Sequence, residues 1–304
     1  QGGLCQLGII RNSNFEVIDL PYTEFTNICV DKNKVMFVGS SSTKVSQLVC
    51  LDLKSEDHEV IRFSSTVNID PGYISEALQL EFSNNEESVS YGFYYRPKNL
   101  KYVASTNELP PLIVRGHGGP TGFSSSSLNL SIQFWTSRGF AVLDVNYRGS
   151  SGFGRTYRKA LDDKWGVSDV DDMVNGALYL VEKNKVDKKR LIIRGGSAGG
   201  YTTLAALTFR NLFSAGASHY GIGDLISLSR DTHKFESCYL DTIIGKLPEN
   251  KNRYLERSPI NYADQLKCPV IFLQGDEDKV VPPNQAETMV NALKSNGVPV
   301  SYLS

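Results

Sequence analysis

Arg190-Leu191-Ile192-Ile193-Arg194-Gly195-Gly196-Ser197-Ala198-Gly199-Gly200-Tyr201-Thr202 decides how the chain folds. Arg190–Arg194 is a short apolar-rich run of strand type, and Ala198–Arg210 reads as a helix. Between them stands Gly-x-Ser-x-Gly, in the strand-then-helix setting that gives this pattern meaning. A turn this tight forces the central residue into a strained backbone conformation, and Gly195 and Gly199 keep neighbouring side chains out of the way. The Ser197 hydroxyl is then lifted above the sheet at a helix N-terminus. There the N–H of Ala198 can donate to a developing oxyanion. A glycine-rich anion-binding turn of the dinucleotide type is the competing reading; it lacks both a Gly-x-Gly-x-x-Gly run and the acid that should follow at ribose distance.

Outward from this segment, short apolar runs alternate with helical stretches. Leu112–Arg115, Ala141–Val145, Arg190–Arg194, Ala215–His219, Val270–Gln274 and Val300–Leu303 read as strands, and Leu128–Arg138, Ser168–Glu182, Ala198–Arg210 and Pro283–Ser295 as helices. Such alternation means right-handed βαβ units and an open, doubly wound, mostly parallel sheet, an α/β architecture. Upstream the period changes. From Leu7 to Phe63 there are only short β-like runs separated by turns such as Asp31-Lys32-Asn33-Lys34, which reads as antiparallel meander and a remnant of a β-propeller. The expected division is residues 1–70 for that remnant and 71–304 for the α/β domain.

Composition narrows the function classes. Lys and Arg number 32 against 33 Asp and Glu, for a formal net charge of −1, which argues against a phosphate-binding surface or an anionic-membrane coat. No apolar run approaches the ~18 residues of a membrane span. Five cysteines, at wide spacings without Cys-x-x-Cys, read as reduced thiols and favour a cytoplasmic setting. The chain starts at Gln1 with no basic-then-apolar leader, and Val298–Ser304 reads as a strand cut short, so it is expected to be a fragment.

A serine hydroxyl needs a base, and the base an orienting carboxylate; on this architecture they follow the serine in the order acid, then histidine. The acid lies in Gly275-Asp276-Glu277-Asp278-Lys279-Val280-Val281-Pro282, beyond a strand C-terminus where open α/β sheets place their sites. The loop alone favours Asp278 but leaves Asp276 and Glu277 open. Of the four histidines, His58, His117, His219 and His233, none follows Asp278. The catalytic base is therefore expected to lie outside these residues, and the chain by itself is expected to be nearly inactive.

Gly116-His117-Gly118-Gly119-Pro120, Tyr147-Arg148-Gly149-Ser150-Ser151-Gly152-Phe153-Gly154-Arg155, Trp165-Gly166, the Ser197 segment and Asp278-Lys279-Val280-Val281-Pro282 occur in that order. Together they resemble the prolyl oligopeptidase family of serine peptidases, on its acylaminoacyl-peptidase and dipeptidyl-peptidase side, over about residues 74–304. The resemblance implies an α/β-hydrolase fold behind a propeller, with Ser197 as nucleophile and Asp278 as the triad acid. It implies a histidine after the strand that begins near Val300. The second oxyanion donor would come from the His117 loop, through its backbone or the imidazole. Trp165, Tyr147 and Tyr201 are candidates to flank the substrate pocket or simply to pack. Asp169, Asp171 and Asp172 read as structural acids in the first turn of a helix. Arg230–Glu236 reads as an exposed charged face rather than a pocket wall.

The expected activity is acyl transfer on short peptides, with neither metal nor organic cofactor. No nucleic-acid or membrane partner is implied, and homo-oligomerisation stays open. The alternatives are a carboxylesterase on the same scaffold and a catalytically dead binding relative.

Overall fold

The computed structural model describes residues 2–84, 86, 88–231 and 238–304. By internal contacts the chain divides into two units: residues 1–78, 95–104 and 125–139 form one, and residues 79–94, 105–124 and 140–304 the other.

In the first unit β1 (Gly8–Arg11) and β2 (Asn14–Val17) form a hairpin, and β3 (Glu24–Asp31), β4 (Lys34–Ser40), β5 (Gln47–Asp52) and β6 (His58–Phe63) form a four-stranded antiparallel meander. Strand alternation sends Val35 and Phe37 of β4 and Val49 and Leu51 of β5 to one face. There they close a small core with Ile18 and Tyr22. The Tyr22 ring meets Phe37 edge-on, and its buried hydroxyl donates to Gln47 Oε1 at 2.8 Å. Ile28, Val30, Met36, Ile61 and Phe63 of the same meander remain exposed. The unit also contains helix α1 (Leu130–Thr136), whose first N–H groups are capped by the Asn129 side chain.

The second unit is built on an eight-stranded sheet. Its strands are β7 (Leu78–Ser83), β8 (Val89–Tyr95), β9 (Leu112–Gly116), β10 (Ala141–Asn146), β11 (Leu191–Gly196), β12 (Ala215–His219), β13 (Val270–Leu273) and β14 (Val300–Leu303). They lie side by side in the order β14-β13-β12-β11-β9-β10-β8-β7, and β10, β9, β11, β12, β13 and β14 pair in parallel. This is the open, mostly parallel sheet that the alternation of periods predicts, in the α/β-hydrolase fold that the resemblance implies. From β9 the chain moves outward to β10 and returns on the other side at β11. The crevice beyond the C-terminal ends of β9 and β11 is thus the topological switch point, where such sheets bind ligands.

The helices that support this crevice are α3 (Ser168–Glu182) and α4 (Ala198–Phe209). On α3, Val170, Met173, Ala177 and Leu180 recur at helical spacing and are buried. Nearly all of α4 is buried, so it reads as apolar all round. One continuous core joins these helices to Val114, Leu143, Ile193 and Phe272 of the sheet and to Met289 and Leu293 of α8 (Asn284–Ser295). Between β10 and α3 lies α2 (Arg155–Lys159), and between β12 and β13 lie α5 (Leu225–Asp231), α6 (Tyr239–Ile243) and α7 (Lys251–Arg257). Among the described residues no helix is long and apolar enough to cross a membrane.

The acids near the start of α3, Asp169 and Asp171 in its first turn and Asp172 just after it, are structural, but not as solvated dipole partners. Asp172 is fully buried and takes both Nε and Nη2 of Arg148 together with the Arg148 backbone N–H. This fastens the loop after β10 to the helix, and Asp171 pairs with Arg210 at 2.6 Å. Asp169, also fully buried, accepts from the Gly166 N–H at 2.6 Å and from Thr202 Oγ1 of α4. Val167 holds the N-cap position without a side-chain bond, and Asp169 binds the chain ahead of the helix instead.

Burial pushes the Asp169 carboxyl up to about 6, against the hydrogen bonds from Thr202 and Gly166 that favour its charged form. A carboxyl held above its unfolded value binds its proton more tightly in the native state. Its contribution to stability therefore falls as pH rises from about 4 to about 6. In urea unfolding, the stability of the protein relative to Asp169→Asn should decrease across that interval; a difference that stays constant, or grows, contradicts this environment.

Candidate active site

Ser197 is the single residue between β11 and α4, and its backbone stands at φ 55°, ψ −123°. A side-chain-bearing residue reaches this region only under constraint, at a cost of about 1–3 kcal/mol. The constraint is close packing of bare backbone. A Cβ on Gly195 would stand 2.2 Å from the Gly199 carbonyl oxygen, and one on Gly199 would stand 2.3 Å from that of Gly116. The β9 end, the turn and the first turn of α4 are therefore pressed together as only glycines allow. The Ser197 N–H donates to the His219 carbonyl at 3.0 Å, so the end of β12 holds the turn from the other side. This leaves Ala198 as the first residue of the helix, with an N–H that the helix itself does not use.

The loop after β9 passes beside the serine, since a Cβ on Gly118 would lie 3.5 Å from Ser197 Cβ. The two ring nitrogens of His117 are engaged, Nδ1 at 2.9 Å from the Gly118 carbonyl and Nε2 at 2.7 Å from Ser150 Oγ. Its ring stacks on Tyr147 with centroids 4.2 Å apart, and the Tyr147 hydroxyl donates to the His117 carbonyl. Burial pushes the imidazole below its usual range. In this arrangement His117 side-chain contacts hold the loop.

A cleft of about 240 Å³ opens at Ser197. Its described lining consists of Gly119, Pro120, Trp165, Ser197, Ala198, Ile222, Leu228, Tyr239, Leu240, Val280 and Val281. None of these carries a charge. Trp165 is thus a wall residue, fixed by its N–H to Ile243 O and by Arg257 Nη1 donating to its carbonyl. Tyr147 and Tyr201 do not line the cleft. Both are fully buried, and the Tyr201 hydroxyl runs beneath the Trp165 segment to the Arg257 carbonyl at 3.0 Å. It passes so close to Gly166 that a Cβ there would lie 2.0 Å from the hydroxyl.

Asp278 sits in the turn after β13, half-buried, with Oδ1 accepting from the N–H groups of Val280 and Val281 at 2.9 and 3.0 Å. Asp276 and Glu277 are exposed. The turn meets the cleft through Val280 and Val281, the two residues whose N–H groups the carboxylate binds. Of the residues foreseen, Ser197, Ala198 and Trp165 meet in the cleft, His117 and Asp278 belong to loops that border it, and Tyr147 and Tyr201 lie underneath. Sequence reasoning passed over Ile222, Leu228, Leu240 and Tyr239, whose hydroxyl reaches back to Thr121 Oγ1 at 2.6 Å. Thr232–Glu236, including His233, lie outside the described residues. Among the described residues no group of three or more His, Cys, Asp or Glu is arranged to hold a metal ion.

A strained serine between strand and helix at the switch point of this sheet defines an α/β-hydrolase. Known proteins narrow the class: residues 126–304 match the sequence model of the Prolyl oligopeptidase family, and the chain belongs to that family. It is 29% identical to a dipeptidyl aminopeptidase BIII of Pseudoxanthomonas mexicana over 74% of this chain and 34% of that protein. It is likewise 29% identical to an acylamino-acid-releasing enzyme of Arabidopsis thaliana, over 91% of this chain and 39% of that one. Among solved structures it superposes on a puromycin-hydrolyzing peptidase of Mycobacterium tuberculosis with a TM-score of 0.97 at 39% identity, covering 99% of this chain and 46% of that one. The chain therefore spans less than half the length of each of these proteins.

If the turn is strained as described, glycine at position 197 relieves it whereas alanine does not. Ser197→Gly should unfold at higher urea than Ser197→Ala, by about 1 kcal/mol, after the roughly 0.5–1 kcal/mol entropic penalty of glycine. Equal or reversed midpoints would show that residue 197 is unstrained.

Proposed function

We propose that this chain carries the nucleophile of a serine peptidase that cleaves short peptides through an acyl-enzyme. The observation that carries the reading is the left-handed backbone of Ser197 beside an unused helix N-terminal N–H, opening on an apolar cleft. In this reading Ser197 Oγ attacks the scissile carbonyl. The oxyanion is held by the Ala198 N–H and by a backbone N–H of the His117–Gly119 loop, because both nitrogens of the His117 ring are already engaged. Asp278, with one oxygen bound by its own turn, orients the histidine that takes the serine proton and returns it to the leaving amine.

That histidine is proposed to lie outside the 304 residues. His117 is occupied by its loop, and the His219 ring faces Arg194. Without the base the chain alone would react slowly. The described lining residues carry no charge, which supports a neutral, apolar side chain on the acyl side of the scissile bond, since a charged one would be desolvated against them without a partner. The puromycin-hydrolyzing relative makes puromycin a substrate to try. Exposed apolar side chains on the β3–β6 meander support its membership of a propeller, which would screen out folded substrates. The five cysteines are all free, which supports a reducing, cytoplasmic setting.

A fluorophosphonate probe on a longer polypeptide that carries this chain tests the reading. Labelling should map to Ser197, vanish in Ser197→Ala, and be far slower on the 304 residues alone. Peptides with an apolar residue before the scissile bond should be turned over in preference to p-nitrophenyl esters. Labelling that persists in Ser197→Ala removes the serine from its role, and ester turnover without peptide turnover makes the protein an esterase.

A further inference from the structure

On one face of the sheet, close behind the serine turn, basic side chains outnumber acidic ones. Asp144 of β10, Arg115 of β9 and Arg194 of β11 stand at one level across three neighbouring strands, because the parallel registers pair Asp144 with Arg115 and Arg115 with Arg194. His219 ends the next strand, β12, opposite Gly196. Asp144 is committed: it accepts from Ser124 Oγ at 2.8 Å and pairs with Arg115 at 3.3 Å. Arg194 has no carboxylate partner among the described residues; its Nη2 instead stands 3.1 Å from His219 Nε2. Arg115, Arg194 and His219 are all only half-buried, so the group is open to a ligand.

Two guanidinium groups on adjacent strands, about 5 Å apart at the backbone, repel each other in this partly desolvated setting. One carboxylate among them leaves a surplus of one positive charge. Burial and the neighbouring Arg115 push Arg194 below its ordinary range, and burial, Arg194 and Arg115 push His219 below its own. A guanidinium presents its donors as a planar fork that fits a carboxylate, and Arg194 has spent at most one of them. A single carboxylate between Arg194 and Arg115 would cancel the surplus and satisfy the fork.

We propose that Arg194, Arg115 and His219 form a carboxylate-binding site behind the Ser197 turn, independent of what Ser197 does. Its occupant ties together the ends of β9, β11 and β12. The β11 end leads into Ser197, and the His219 carbonyl accepts the Ser197 N–H. A bound carboxylate therefore firms the scaffold of the turn without touching a reacting atom. Two sources share the chemistry: a free carboxylate from solution, or an acidic side chain of a longer polypeptide that carries this chain.

Acetate is the probe, and the ring resonances of His219, followed by NMR through a pH titration, are the readout. In the 304-residue chain, acetate should shift these resonances saturably and move the His219 midpoint upward, while chloride at equal ionic strength does neither. Arg194→Gln should raise the midpoint without acetate and weaken acetate binding about tenfold or more, as expected for loss of a charge-assisted pair. Arg115→Gln serves as the second variant, with the same direction of effect, should Arg194→Gln not fold. In the longer polypeptide, a midpoint already raised and indifferent to acetate identifies an internal carboxylate; a midpoint that still responds identifies a free one. No saturable response in the 304-residue chain, or an unchanged response in both folded variants, overturns the site.

Discussion

The arrangement around Ser197 depends on three stretches of backbone meeting without side chains between them. Gly195, Gly199 and Gly116 allow the strand end, the helix start and the neighbouring strand to approach within contact of one another's carbonyl groups. A Cβ on Gly195 or Gly199 would push the turn apart, whereas one on Gly116 would press on the side chain of Met173. The cost of holding a serine at positive φ is met by this packing and by the buried helix α4, whose many apolar contacts fix its first turn. Functional geometry is thus bought with rigidity elsewhere in the unit.

That part of the molecule was legible because its causes are local. A strand, a glycine-flanked serine and a helix follow one another without a break from Leu191 to Phe209, and each is specified by its immediate neighbours. The order of βα units was equally plain from the change of period. Tyr147 and Tyr201 show where local reading stops. Both are aromatic residues next to motif glycines, and only the path of Tyr201 beneath Gly166 decides that it fills the floor instead of the wall. The cleft walls at Ile222, Leu228 and Leu240 come from a long excursion without a clear period, and folding alone brings them to the serine.

The acids of α3 make the same point with charge. In sequence Asp169, Asp171 and Asp172 are three carboxylates in a helical first turn, where exposure is the default. Their partners lie far away in the chain: Arg148 at a separation of 24 residues for Asp172, and Thr202 at 33 for Asp169. Asp169 and Asp172 sit under the site and join its loops to one core, whereas Arg194, two strands from Asp144, has no carboxylate in contact among the described residues. The contrast between a fully matched and an unmatched charge cluster in one unit is what separates a structural network from a binding site.

A high-resolution crystal structure of the Ser197 turn measures the central claim directly. The account predicts positive φ at residue 197, with Oγ facing the cleft bounded by Trp165 and Val281 and the Ala198 N–H free beside it. A serine at negative φ, or an Oγ turned into the core away from that cleft, would contradict it.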